Sequence, residues 1–100
     1  MAVEIDWSYE AQTTFDKNIF FLQSEWTDRE VIKFIDQTNQ ALKRIEQYPE
    51  SYPKGNRRNK YRKARLNKYI VLFYRYYKTK GRVVLLTFWN VKQDPAKLKY

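Results

Sequence analysis

Histidine and cysteine are absent from these 100 residues, so any chemistry must rest on lysine, arginine, tyrosine and the carboxylates. Lysine and arginine are densest between Lys54 and Lys68, a stretch without Asp or Glu that contains Tyr61-Arg62-Lys63-Ala64-Arg65. Such groups can hold a phosphodiester and stabilise the charge that develops when its phosphorus is attacked. A lysine of depressed pKa or a tyrosine could move the protons. The same Arg62, Lys63 and Arg65 read equally well as the solvated face of a strand.

Several chemistries are excluded. Without imidazole or thiol there is no Ser-His or Cys-His nucleophile and no histidine or cysteine metal ligand. The carboxylates are scattered, with none paired as a two-carboxylate glycosidase or two-metal nuclease requires. Gly55 and Gly81 are the only glycines, so there is no phosphate-cradling loop. Neither a metal nor another cofactor is expected.

The net charge of +9 favours a polyanionic or acidic partner. Its distribution is uneven, since residues 1–50 are mildly acidic. Arg57, Arg58, Lys60, Lys63 and Lys68 of the basic segment, with Lys97 near the end of the chain, are the expected contacts to nucleic acid or another target.

The elements that must position these groups follow from hydrophobic spacing. Val3 to Asp6 reads as a short strand. Ser8 caps a helix from about Tyr9, with Phe15, Ile19, Leu22 and Trp26 on one stripe. Thr27-Asp28-Arg29-Glu30 fits a capping box opening a second helix, whose stripe is Val31, Ile35, Thr38, Leu42 and Ile45 with Phe34 and Ala41 flanking. The short joint forces a helical hairpin, and Pro49 closes it. A loop from Tyr48 to Lys60 leads to three β-branched and aromatic runs. These are Tyr61–Leu66, Tyr69–Tyr77 and Arg82–Trp89, and their short polar joints imply an antiparallel meander.

The expected fold is α+β: one domain over residues 1–100, an antiparallel sheet with a helical hairpin on one face. The last two strands are apolar or aromatic on both faces. One face must therefore meet a partner or form a groove, unless the loop and C-terminal tail cover it. Arg75 is expected to stack on a neighbouring aromatic and Trp89 to anchor the core. No apolar run approaches a membrane span, and Met1–Asp6 does not read as a signal peptide. A cytoplasmic protein with no membrane partner is expected.

In this order the segments resemble the RelE/ParE toxin superfamily of type II toxin–antitoxin systems, often labelled plasmid stabilisation proteins. The resemblance runs through the first strand ending at Trp7, a helix with Ala11 and Phe15-Asp16, and a second helix closing Ala41-Leu42-Lys43-Arg44-Ile45-Glu46-Gln47-Tyr48-Pro49. It continues through Tyr61-Arg62 and Leu72-Phe73-Tyr74 to the ending Leu86-Thr87-Phe88-Trp89-Asn90-Val91-Lys92-Gln93-Asp94-Pro95-Ala96-Lys97-Leu98. It implies a β-α-α-β-β-β fold and a cognate antitoxin that wraps and neutralises the toxin; whether the chain also forms a homodimer is left open.

Two targets are implied. ParE-like members poison DNA gyrase by protein contact, whereas RelE-like members cleave ribosome-bound mRNA. For the second activity the resemblance implies Arg62, Arg65 and Lys92 as catalytic residues, with Tyr100 as a proton donor. The departures weigh against an enzyme. Ile70 and Val71 stand where RelE-like enzymes carry an arginine, Ala64 stands where a lysine is matched, and the C-terminal arginine is Lys92. A gyrase-directed toxin is therefore the first expectation, with an mRNA endonuclease, or a degenerate toxin that only binds its antitoxin, as alternatives.

Overall fold

The computed structural model describes residues 2–55 and 60–100. The order is β1 (Glu4–Trp7), α1 (Tyr9–Glu25), α2 (Asp28–Gln47), β2 (Arg62–Arg65), β3 (Ile70–Tyr77) and β4 (Arg82–Asn90). The strands form one sheet in the order β1-β4-β3-β2.

The three C-terminal strands are the antiparallel meander that their joints require. β2 pairs with β3 from Arg62↔Tyr74 to Arg65↔Val71, and β3 with β4 from Ile70↔Asn90 to Tyr77↔Arg82. Asn67 makes the first joint by accepting the N–H groups of Tyr69 and Ile70 at 2.9 and 3.0 Å. Gly81 makes the second, at φ 60°, where a side chain would be strained.

β1 runs parallel to β4, so the sheet is mixed rather than wholly antiparallel. The helical hairpin is the reason. It brings the chain back to the end of the sheet where β1 starts, and the Val3 N–H donates to the Glu46 carbonyl at 3.2 Å. β2 must then set off in the direction of β1, and two reversals later β4 does so again. Arg82 bridges the pair, reaching Glu4 at 3.2 Å and Asp6 at 3.1 Å.

β1 ends opposite Leu85, which leaves the outer edge of β4 beyond it with no strand partner. Unpaired backbone groups are costly when buried. Polar side chains of α1 satisfy them. The Ser8 hydroxyl donates to the Leu86 carbonyl at 3.1 Å and accepts the Ala11 N–H at 3.0 Å, so one residue caps the helix and ties it to the sheet. Thr14 accepts the Phe88 N–H at 2.9 Å, and Asn18 donates to the Phe88 carbonyl at 2.9 Å. The buried side of α1 is therefore Ala11, Asn18 and Leu22, while Phe15 and Ile19 are only half-buried and Trp26 is exposed.

α2 is the more amphipathic helix. Its buried residues are Val31, Phe34, Thr38, Ala41 and Ile45, so the stripe is rotated toward Phe34 and Ala41, and Ile35 is 39% exposed. Phe34 sets the rotation: its ring lies 5.2 Å from Phe15 and 6.2 Å from Phe88, filling the space between helices and sheet. The Thr27 side chain makes no capping bond; the first turn closes on its carbonyl instead, which accepts the Glu30 N–H at 3.0 Å. The helix-facing sheet residues Ala64, Ile70, Leu72, Tyr74, Val83, Leu85 and Phe88 complete the core. Among the described residues, no helix is long and apolar enough to cross a membrane.

Candidate functional site

The phase of β2 decides where its cations go. Successive strand residues point to opposite faces. Ala64 is wholly buried opposite Leu72 on the helical side. Arg62 shares that side, and Lys63 and Arg65 project from the other. Lys63 lies opposite Phe73 and Arg65 opposite Val71. Arg62 and Arg65 therefore leave the strand on opposite faces of the sheet.

Arg62 is engaged in holding the loop. Its guanidinium donates to the Tyr52 carbonyl at 2.8 Å and the Glu50 carbonyl at 3.1 Å, with the Glu50 carboxylate at 3.7 Å. Lys92 is also on a different face from Lys63 and Arg65. It sits on the helical side, its Nζ 5.6 Å from the centroid of the Phe21 ring and 5.0 Å from that of Tyr69. The three cations expected to share catalysis are thus divided between two faces, with Arg65 alone on the far one.

On the far face Lys63, Arg65, Val71, Phe73 and Trp89 line a groove of about 520 Å³, closed at its margins by Tyr52, Pro53, Val91 and Leu98. The floor is apolar and the cations form one bank. Trp89 is opposite Val71 and half-buried, so it belongs to this groove and not to the helix-facing core. Arg65 is held by donating to the Lys68 carbonyl at 2.9 Å.

The tail covers one end of the floor. Tyr100 packs edge-on against Tyr61, centroids 5.1 Å apart, and over Phe73 at 6.1 Å. Its hydroxyl donates to Glu10 Oε1 at 3.4 Å. Burial, then the adjacent Glu10 carboxylate, raises the Tyr100 phenol above its ordinary value, so the ring keeps its proton at neutral pH. Tyr61, Lys63 and Arg65 recur at every second position, the period that puts residues on one strand face; that was the signal in the sequence for this bank. Nothing in the sequence pointed to Glu10.

The other expected contacts are dispersed. Lys60 and Lys97 are exposed, on the turn before β2 and in the short helical turn Pro95–Lys97 of the tail. Lys68 lies at the β2–β3 joint, its Nζ 5.8 Å from the Tyr69 ring centroid. Arg57 and Arg58 lie outside the described residues. Arg75 stacks over Tyr77 at 4.6 Å, as expected. Among the described residues, no histidine, cysteine or carboxylate cluster could hold a metal ion.

No protein-family model matches the sequence, and no curated protein matches it significantly. Solved structures do. A chain described as the chromosomal ParDE TA system from P. aeruginosa superposes with a TM-score of 0.72 at 11% identity, over 89% of this chain and 96% of that one. The toxin-antitoxin complex RelBE2 from Mycobacterium tuberculosis gives 0.62 at 15% identity, over 90% and 99%. The YoeB/ParE toxin from Agrobacterium tumefaciens gives 0.63 at 13% identity, over 87% and 96%. At these identities what is common is the backbone arrangement: the chain has the RelE/ParE toxin fold.

Proposed function

We propose that this chain is the toxin of a type II toxin–antitoxin pair, acting by protein contact as ParE-like toxins do and neutralised by a cognate antitoxin on its far sheet face. The observation that carries the reading is the groove floor of Val71, Phe73 and Trp89, with cations on one bank only. Attack on a phosphodiester needs several donors converging on one phosphate. Arg62 and Lys92 face the other side of the sheet, and no histidine is present. An apolar floor beside Lys63 and Arg65 matches instead an amphipathic segment with apolar and acidic side chains. DNA gyrase is the target this reading names, and the cytoplasm its place of action.

The second reading is a RelE-like endonuclease of ribosome-bound mRNA. Its specific support is that Lys63, Arg65 and Tyr61 share one face with Tyr100, a protonated phenol. Induced expression with and without the product of an adjacent small gene separates the two. Arrested growth with intact transcripts, relieved by that product and accompanied by loss of gyrase supercoiling activity, is expected. Transcripts cut on translating ribosomes would sink the protein-contact reading. Unimpaired growth, with the adjacent product still bound, would identify a toxin reduced to antitoxin binding.

A further inference from the structure

The fold assembles a second surface, on the helical side of the sheet and away from the groove. Phe21 reaches it from α1, Trp26 from the residue that caps that helix and Tyr69 from the residue before β3. Trp26 is 46% exposed, and its ring lies 6.0 Å from that of Tyr69 at a tilt of 38°. Lysines alternate with these rings. Lys92 lies between Phe21 and Tyr69, and Lys68 beside Tyr69. Lys17 and Lys33 stand at the two ends, on α1 and α2. All four lysines are exposed, and none forms an ion pair among the described residues.

Two cavities open here, linked by Lys92 of the first lying 5.0 Å from the Tyr69 ring of the second. One of about 190 Å³ is lined by Lys17, Phe21, Phe88 and Lys92, the other, of about 200 Å³, by Trp26, Lys33, Lys68 and Tyr69. Among the described residues, Glu30 is the only carboxylate lining either. Aromatic faces interleaved with unpaired cations are the chemistry of a single-strand surface: bases stack on the rings while the lysines follow the phosphates. Neutral amides lie beside the lysines, Gln93 in the first cavity and, in the second, Gln37, whose oxygen accepts the Asn67 amide at 3.0 Å and whose NH2 group is left to donate. Such groups can pair with a ribose 2′-hydroxyl, the group that distinguishes RNA from DNA.

We propose that this face binds a short single-stranded RNA segment and releases it uncut, independently of what occupies the groove. The sequence concealed it because its residues come from four separate stretches, and only the packing of the helical hairpin against the sheet brings them together.

The test is fluorescence anisotropy of a labelled oligouridine with the full chain, at low and physiological salt. Trp26→Ala should weaken binding ~10-fold and Trp26→Phe should restore most of it, since one stacking ring is lost and then replaced. The double variant Lys33→Glu/Lys68→Glu, confined to exposed side chains, should weaken it at least ~10-fold and reduce the salt slope by about 1.4. The far-face pair Lys63→Glu/Arg65→Glu should retain affinity within about twofold, beyond the general effect of net charge. The proposal is overturned if the far-face pair loses as much as the lysine pair, or if no binding occurs at low salt. It is equally overturned if oligothymidine binds as tightly as oligouridine, or if polyglutamate competes as well as RNA.

Discussion

The side-chain amide of Asn18 donates to the carbonyl of Phe88 at 2.9 Å, across 70 residues of chain, in a site where both residues are buried. Asn18 also donates to the Thr14 carbonyl at 2.9 Å and accepts from the Asn90 amide at 3.3 Å. It thus occupies the place that a further strand would take beside β4. Replacing it by Leu keeps a similar size and leaves the Phe88 carbonyl without a donor. An orphaned buried acceptor costs about 1–3 kcal/mol. Asn18→Leu should lower the unfolding free energy in urea by about 2 kcal/mol. A loss under about 0.5 kcal/mol would mean that the edge of β4 is satisfied in another way.

That contact also marks the limit of what the chain discloses by pattern alone. Both helices, their hairpin and the meander follow from local spacing and turn residues, because each is made by neighbours in sequence. The parallel seat of β1 depends on where α2 ends, and the polar side of α1 depends on an edge created 70 residues later. Hydrophobic periodicity carries no signal for either. For the site, the cations of β2 were legible as a cluster but not in phase. Ala64 reads as a lost cation until its wholly buried place beneath the helices shows that no cation could sit there. The groove floor was legible as a two-sided apolar pattern. Its partial cover by Tyr100 was not, since that requires the path of the tail.

Tyr74 gives the fold an alkaline limit. Its hydroxyl donates to the Pro49 carbonyl at 2.8 Å, and burial pushes the phenol up to about 12 against the opposing charge of Arg62. The folded state favours the neutral phenol, so this stabilisation is complete below pH 10 and is lost as pH climbs from 10 toward 12. The loss is on the order of 2–3 kcal/mol. Tyr74→Phe should cost about 1 kcal/mol at pH 7 through the missing bond. Its stability should then fall less steeply than that of the parent above pH 10, as read by urea titrations across the range. Parallel pH profiles would show that Tyr74 ionises without opposing the fold.

The tail should behave as a strap over Phe73. Deleting residues 97–100 removes Leu98 and Tyr100 from the groove margin together with the Glu10 contact. Binding of an apolar dye should increase as the floor around Phe73 and Trp89 hydrates. The cost in stability is about 1–2 kcal/mol, set by the apolar area returned to water. Glu10→Gln tests the latch alone: it preserves the shape and removes the carboxylate, so dye binding should rise only slightly. An unchanged dye signal in the truncated chain would show that the tail does not shield the floor in solution.

Arg62 and Lys63 are adjacent in sequence and should separate cleanly in assay. Arg62→Ala releases the Glu50 and Tyr52 carbonyls, so its principal effect should be on stability, about 1–3 kcal/mol in urea. Any fall in toxicity should then follow the fall in soluble protein. Lys63→Ala removes a half-buried cation whose amine has no partner among the described residues and keeps the backbone bond to the Pro53 carbonyl, so it should change stability by less than about 0.5 kcal/mol. Its effect on toxicity distinguishes the two readings of the groove. If the groove binds protein, Lys63→Ala and Arg65→Ala should each weaken toxicity modestly, while Trp89→Ala, which empties the floor, should abolish it in protein that remains folded. If the groove cuts RNA, the order reverses: each lost donor costs about 10²-fold or more in rate, and the tryptophan matters less. Growth curves paired with circular dichroism of the purified variants decide between them, and a Trp89→Ala chain that is folded and still fully toxic would rule out the apolar floor as the contact surface.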